Sequence, residues 1–248
     1  VMNDITRLKK LESLRSEFVA NVSHEIKTPL TSIKASVETL LAPDASKDEA
    51  AKLLGIIGRN TERITSIVDD LLSLSRLEQG QEKDSSKFTE TRVEGVIESA
   101  VADCRAKADA KRIVFSVDCN TSISALMNPS LIEQAVVNLI DNAIKYSDEG
   151  GSIEIGAHKE NGRIMITVKD HGCGIPKEHL DRIFERFYRV DKARSRKLGG
   201  TGLGLSIVKH IANVHGGKVE VASTVGNGAR FTIAIPVSGT HSSVPRTG

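Results

Sequence analysis

One histidine, His24, lies in a run that could present an imidazole to a reacting group. Apolar residues recur around it at steps of three and four, which is the spacing of one helical face. These residues are Phe18, Val22, Ile26, Leu30, Ile33 and Val37. At about 100° per residue, His24 falls almost opposite the middle of that stripe. The sequence therefore predicts an imidazole that faces water from a rigid helix.

Two further polar residues accompany His24 on this predicted helix. Glu25 is adjacent in sequence, and Thr28 lies one turn further along on the same side as His24. Pro29 removes a backbone hydrogen bond, so a bend is expected within about a turn of His24. A solvated histidine on an ordinary surface helix is the alternative interpretation, and a chemical role needs a second site elsewhere in the chain.

A second candidate group lies on a predicted helix from Pro129 to Tyr146, which begins after Asn128 as its N-cap. Asn138, Asn142 and Lys145 share one face of it at i, i+4 and i+7. A carboxamide oxygen suits Mg²⁺, and an ammonium group suits a phosphate oxygen. An amphipathic helix with a polar outer face is the alternative.

The segment from Asp170 to Gly174 has the pattern Asp-x-Gly-x-Gly at the end of a predicted strand. A carboxylate there can accept a hydrogen bond from the amino group of adenine, and glycines allow the backbone to come close to the base. The pattern alone is weak, because it also describes many turns. Cys173 lies within it and is interpreted as a small buried residue without a nucleophilic role.

Basic residues cluster just after this segment, with seven Lys and Arg between positions 182 and 197 against Glu185 and Asp191. Such a run is usually a solvated face, but beside a triphosphate it suits a mobile lid. Arg189 is the candidate for contact with a γ-phosphate.

A glycine-rich stretch follows the basic run, with four glycines in the six residues from Gly199 to Gly204 at the start of a predicted helix. Backbone N–H groups at a helix start bind phosphate, and glycine removes side-chain obstruction. The stretch is not a Walker A loop, because no Gly-Lys-Ser/Thr follows the glycines.

Two long helices must position His24. The first is predicted over 3–41 and the second from about 49 to 79, with a turn around Pro43 between them. The second helix carries apolar residues in a heptad pattern that Asn60 interrupts as the single polar member. Such a hairpin has too much apolar surface to bury alone, so we predict a homodimer with a four-helix bundle.

A different kind of domain must carry the other candidate residues. We predict a hairpin domain at 1–79, a polar linker at 80–91, a second domain at 92–237 and a disordered tail at 238–248. In the second domain, helices are expected at 93–108, 129–146 and 203–215, and strands at 112–118, 152–157, 163–170, 218–223 and 229–236. This mixture predicts an α/β sandwich, with a helical layer on one face of a mixed sheet.

Composition limits the class of protein. The 248 residues are 39% hydrophobic and 27% charged, which is typical of an ordered globular chain. The net charge of +2 gives no reason to expect nucleic acid or membrane as a partner of these residues. The three cysteines are widely spaced and suggest a reducing cytosol. Because the chain opens with Val1, we expect it to be a fragment of a longer protein.

Taken in order, these segments resemble the motifs of sensor histidine kinases. The run Ser23 to Leu30 resembles the H-box, Glu133 to Tyr146 the N-box, 170–176 the G1 box, 184–191 the F-box and 199–208 the G2 box. The last four resemble the nucleotide site of the Bergerat-fold ATPases. The H-box region also resembles the phosphate-starvation branch of the family.

The resemblance implies a role for each matched residue. His24 would accept a phosphoryl group from ATP, Glu25 would take the ring proton, Thr28 would support dephosphorylation of a regulator, and Asn138 would ligate Mg²⁺. The nucleotide contacts that it implies are Asn138, Asn142, Lys145, Tyr146, Asp170, Gly172, Gly174, Ile175, Gly200, Thr201, Gly202, Leu203, Gly204 and Leu205. Asp141 stands where many relatives have Asn, and no role is assigned to it.

The resemblance also implies partners and a location. The phosphoryl group would pass to an aspartate on the receiver domain of a separate response regulator. The fragment would be cytoplasmic, within a full-length protein anchored in a membrane. Two alternatives stay open: a degenerate kinase that serves as a dimeric nucleotide-binding scaffold, and a plain ATPase, which would not need an exposed histidine on a hairpin.

Overall fold

The computed structural model describes residues 2–42, 46–79, 87–119, 123–191 and 199–237, without the side chains of 2–15 and 17. The chain forms two compact units. One comprises the chain to Leu72 together with Asp191–Leu203, and the other comprises Ser73–Val190 and the chain from Gly204. Pro43, most of the predicted linker, the middle of the predicted lid and the predicted disordered tail lie outside the described residues.

The first unit is built on α1 (Met2–Leu40) and on α2 (Lys47–Glu78) as far as Leu72. Pro29 lies inside α1 and is buried. The heptad pattern of α2 places Ile67 in full burial, and Asn60 donates from Nδ2 to Oγ of Ser32 on α1 at 3.3 Å. The polar member of the heptad therefore pairs across the hairpin, as a register-fixing residue would.

The hairpin retains an exposed apolar surface. Leu30, which belongs to the predicted apolar stripe of α1, has 56% of its surface exposed, and Leu54 of α2 has 60%. Val37, Val68 and Leu72 are also exposed. Each of the two helices thus carries more apolar surface than the other helix covers.

The second unit contains the remaining elements. Its helices are α3 (Val93–Ala110), α4 (Pro129–Tyr146) and α5 (Gly204–Val214). Its strands are β1 (Thr89–Arg92), β2 (Val114–Cys119), β3 (Ser124–Met127), β4 (Ser152–Glu160), β5 (Arg163–Asp170), β6 (Lys218–Ser223) and β7 (Ala229–Pro236).

Five strands form one mixed sheet in the order β2-β4-β5-β7-β6. Only β2 and β4 pair in parallel among these neighbours. Alternate residues of the central strands, such as Ile153, Ile166 and Ile233, are fully buried. The buried stripe of α4 lies in contact with α3, α5 and β5, so the helices form one layer on the sheet. The predicted fold class, a helical hairpin followed by an α/β sandwich, is confirmed.

Apart from shifts of up to three residues at the ends of some elements, the main differences from the sequence prediction concern short elements. Residues 89–91, predicted as linker, belong to β1, which pairs antiparallel with β3 in a separate two-stranded sheet. The strand β3 itself was not predicted, because four residues are too few to show an alternating pattern. A short 3-10 turn at Lys177–His179 was also missed.

Candidate active site

His24 is exposed on α1, as its position opposite the apolar stripe predicted. Thr28 is exposed one turn later, and its hydroxyl donates to the backbone carbonyl of His24 at 3.1 Å. The helix continues without interruption through Pro29. The two exposed side chains therefore lie one turn apart on the same helix, where a group docked over His24 is also within reach of Thr28.

Glu25 points to the interior of the hairpin more than His24 does. Its Oε2 accepts from Nη2 of Arg63, on α2, at 2.8 Å. The exposed fraction is 10% for the Arg63 side chain and 16% for that of Glu25, so the ion pair is mostly screened from water. Sequence analysis did not identify Arg63, because the pairing joins residues on two helices and no local pattern marks it.

Helix α4 presents its candidate residues on one face. Asn138, Asn142 and Lys145 are half-buried, whereas Leu139, Ile140 and Ala143 on the other side belong to the core. Asn128 caps the helix by accepting from the N–H of Leu131 at 3.4 Å, as predicted. Asp141 binds Lys107 of α3 at 2.8 Å, which gives it a structural role.

The first residue of α5 lies beside Asn138. A Cβ placed on Gly204 would lie 3.3 Å from Oδ1 of Asn138. An amide oxygen and the N–H groups of a helix start are therefore adjacent. Amide oxygens are among the few protein ligands that Mg²⁺ takes besides phosphate and water, so Asn138 fits the predicted metal role.

Asp170 ends β5 and is 6% exposed. Its Oδ1 accepts from the backbone N–H of Gly172 at 2.9 Å and from that of Ala229 at 3.2 Å. Burial raises the pKa of this carboxyl above its usual value, although the two backbone N–H groups act in the opposite direction. Because both bonds use one oxygen, the carboxylate is fixed in orientation and retains lone pairs for a ligand.

The glycines after Asp170 are required by the chain's own backbone. A Cβ on Gly172 would collide with the carbonyl of Tyr146, at the end of α4, and one on Gly174 would collide with that of Thr224. Gly174 also has a φ of +70°. The close approach that these residues allow is therefore to protein backbone, in addition to any ligand.

Cys173 is exposed, so its predicted burial is wrong. The backbone on both sides of it is held by close contacts of Gly172 and Gly174, and this arrangement turns the intervening side chain outward.

The connection between β6 and β7 supports the same loop. Oγ of Ser223 accepts from the N–H of Ile175 at 2.8 Å and donates to the carbonyl of Gly228 at 2.6 Å. Sequence analysis missed this support, since a serine at a strand end gives no local signal of its long-range partner.

The other predicted nucleotide residues divide between the two units. Tyr146, Ile175, Leu205 and Arg189 belong to the second unit, and all four are half-buried. Gly200, Thr201, Gly202 and Leu203 belong to the first unit. There, the hydroxyl of Thr201 donates to Oδ2 of Asp70, on α2, at 2.6 Å, and accepts from the N–H of Leu203 at 3.2 Å. Gly202 has a φ of +79°, which favours glycine.

Two family models match the chain. Residues 14–80 match the His Kinase A (phospho-acceptor) domain, and residues 127–239 match the histidine kinase-, DNA gyrase B- and HSP90-like ATPase. The first match contains His24 and the second contains the candidate residues of α4, β5 and α5. The chain belongs to the sensor histidine kinases.

Known histidine kinases are similar along nearly the whole chain. SenX3 of Mycolicibacterium smegmatis is 39% identical over 95% of this chain and 61% of its own length. WalK of Bacillus subtilis is also 39% identical, over 95% of this chain and 39% of its own length. The chain thus spans less than two thirds of these curated relatives.

Solved structures have the same architecture. Histidine kinase ThkA, in complex with the response regulator protein TrrA, superimposes with a TM-score of 0.74 at 25% identity, over 92% of this chain and 64% of that one. The histidine kinase AdeS of Acinetobacter baumannii superimposes with a TM-score of 0.68 at 24% identity, over 86% of this chain and 98% of that one, and shows the fold alone. None of the helices among the described residues has the length and hydropathy needed to cross a membrane.

Proposed function

We propose that this chain is the catalytic core of a histidine kinase that phosphorylates its own His24 from Mg·ATP and then transfers the phosphoryl group to an aspartate of a response regulator. The observation that carries the proposal is the exposed imidazole on α1 with the Glu25 carboxylate one residue away. The Glu25 carboxylate is held by an ion pair from Arg63 on α2, which a merely solvated histidine at position 24 would not require.

In the proposed reaction, one ring nitrogen of His24 attacks the γ-phosphorus of ATP. The bond from that phosphorus to the β,γ-bridging oxygen breaks, and ADP leaves with the electron pair. Glu25 takes the proton from the other ring nitrogen, which keeps the attacking nitrogen nucleophilic. The protein contributes mainly alignment and charge stabilisation to such a transfer.

The second domain would hold the nucleotide. Asp170 would accept a hydrogen bond from the adenine amino group, and its burial and two backbone bonds support that fixed role. Lys145 and Arg189 would bind phosphate oxygens, and the N–H groups at the start of α5, from Gly204, would bind the phosphates. Asn138 would hold Mg²⁺, which neutralises phosphate charge when it is bound.

We further propose that the active form is a homodimer. Leu30, Leu54 and Leu72 on the hairpin are each more than half exposed. Burial of one leucine side chain contributes about 1.5–3 kcal/mol, so pairing two hairpins recovers a substantial stabilisation. A four-helix bundle brings such faces together.

Regulator dephosphorylation is proposed as a second activity, with Thr28 orienting the attacking water. The Thr28 hydroxyl donates to the carbonyl of His24 and still has acceptor lone pairs for a water. ThkA is described in complex with the regulator TrrA, which supports the proposal that this chain also binds a receiver domain.

The whole protein is proposed to be longer, with this chain on the cytoplasmic side of a membrane anchor. The greater length of the SenX3 and WalK relatives supports the proposal of a longer protein. We also propose that the protein belongs to the phosphate-starvation branch, and its 39% identity to SenX3 supports this.

Incubation with γ-labelled ATP and Mg²⁺ separates the proposed function from its alternatives. Acid-labile, base-stable label on the protein supports the kinase. Released phosphate without protein label would indicate a plain ATPase, and neither product would indicate a nucleotide-binding scaffold.

A further inference from the structure

A charged pair joins α1 to α2 at Glu25, the residue that follows His24. Arg63 and Glu25 make a 2.8 Å ion pair, and each side chain is at least about five-sixths buried. Exposed ion pairs contribute little to stability, whereas two charges withdrawn from water require a close partner. A hairpin that needed only apolar packing would be served better by two apolar residues at these positions. The stability of the hairpin alone therefore does not explain a buried charged pair at these positions.

Arg63 also has donor capacity that the described residues do not use. Its Nε atom is buried and has no hydrogen-bond partner within the described part of the chain. A buried donor without a partner carries a desolvation penalty, so such atoms are uncommon in cores. A guanidinium held in this way fixes the position of the Glu25 carboxylate.

We propose that Arg63 is a positioning residue for Glu25: it holds the Glu25 carboxylate beside His24 in the orientation that receives the imidazole proton. This inference rests on the proposed autophosphorylation. As the ring nitrogen bonds to phosphorus and ADP leaves, the proton passes from the other ring nitrogen to the carboxylate. Arg63 exchanges no atom; its ion pair keeps the Glu25 carboxylate in place until the proton has passed to it.

The inference predicts a specific pattern among variants of the 248-residue chain. Arg63→Met, which keeps the stem length and removes the charge, should slow the initial rate of His24 labelling by roughly tenfold to a hundredfold, as expected for misplacement of an acid–base group. Arg63→Lys should recover the rate to within about threefold of the parent, because a cation is restored. Arg59→Met is the matched control: it lies one turn earlier on α2, is exposed and should label normally.

Coupling to Glu25 distinguishes positioning from a general structural role. In a Glu25→Gln background, Arg63→Met should slow labelling by less than about twofold, because the carboxylate that Arg63 positions is already absent. Affinity for an ATP analogue and helical content measured by circular dichroism should stay at the values of the parent. Should Arg63→Met lose helical content, Arg63→Leu replaces it, since it is apolar and a good helix former and cannot donate a hydrogen bond to Glu25.

Three results would overturn the inference: labelling by Arg63→Met or its replacement at the parent rate, failure of Arg63→Lys to recover the rate, or equal slowing with and without the Glu25 carboxylate. Failure of the underlying proposal has a different signature. Normal labelling by Glu25→Gln would remove Glu25 as the proton acceptor, and label retained by His24→Gln would remove the proposed phosphorylation site, whatever Arg63 does.

Discussion

Asp170→Asn is the substitution that most directly tests adenine recognition. In the structure, Oδ1 of Asp170 accepts two backbone N–H groups, from Gly172 and Ala229, at 2.9 and 3.2 Å. An asparagine can direct its own Oδ1 to the same two donors, so the loop should be retained. The other terminal atom then becomes an NH₂ group, which donates where the proposed adenine site needs an acceptor.

The direction in which Asp170→Asn changes the stability of the folded domain follows from the pKa of Asp170. Burial raises the pKa of Asp170 in the folded protein. A raised pKa means that the carboxyl contributes stability below its unfolded pKa, and that this contribution is lost as pH rises through the folded pKa. At neutral pH the charged side chain is therefore a net cost that Asn removes. The Asp170→Asn domain should melt at the same temperature as the parent or slightly above it.

The binding effect should be large. Loss of a hydrogen bond to a charged acceptor costs about 1.5–3 kcal/mol, and an unsatisfied donor facing the adenine amino group adds about 1–3 kcal/mol. A total near 3–4 kcal/mol corresponds to roughly 10²–10³-fold weaker binding of ATP, at about 1.4 kcal/mol per tenfold. Inosine triphosphate, which has a carbonyl in place of the amino group, should lose far less affinity, because Asn can donate to it.

The assay is calorimetric titration of both nucleotides, as non-hydrolysable analogues with Mg²⁺, into the parent and the variant. ATP-analogue affinity within about threefold of the parent, at an unchanged melting temperature, would refute the assignment of Asp170 to the adenine amino group. In the parent, the raised pKa also predicts that affinity for the ATP analogue declines on acidification at a higher pH than an ordinary aspartate would give.

Four further predictions concern both domains. Thr28→Ala should phosphorylate itself at a near-normal rate and should dephosphorylate a cognate regulator more slowly, measured as label retained on that regulator. Glu25→Ala should label itself at least about a hundredfold more slowly in the γ-label assay. Burial lowers the pKa of His215. The contribution of the neutral ring to stability is therefore present above the unfolded pKa and is lost as pH falls through the folded pKa. The melting temperature of the second domain should fall more steeply between pH 7 and 5 in the parent than in His215→Gln. Lys111→Met should lower the unfolding free energy by roughly 1–3 kcal/mol in denaturant titrations, because Nζ of Lys111 donates to three carbonyls at the end of α4.

Much of the fold was predictable because local signals agree with tertiary packing. The helix α4 has its cap, its proline and its apolar stripe in sequence, and its bounds match the prediction at both ends. The hairpin of β6 and β7 shows the same agreement. The heptad of α2 predicted a seam whose polar residue, Asn60, does bond across the hairpin.

The features that sequence did not predict depend on contacts between distant residues. The ion pair of Glu25 with Arg63 and the bond from Ile175 to Ser223 join positions 38 and 48 residues apart. The strand β3 is too short to show a period, and it forms because β1 pairs with it. Cys173 is exposed because the backbone on both sides of it is fixed by Gly172 and Gly174. These close approaches involve the carbonyls of Tyr146 and Thr224, so the local sequence around Cys173 does not indicate them.

The most direct measurement of the central claim is the position of the label after incubation of the chain with γ-labelled ATP and Mg²⁺. Peptide mapping under alkaline conditions, which preserve phosphohistidine, should place one label on His24, and His24→Gln should carry none while it binds the ATP analogue with the affinity of the parent. Label on another residue, or label that persists in His24→Gln, would contradict the claim that the second domain phosphorylates the exposed histidine of α1.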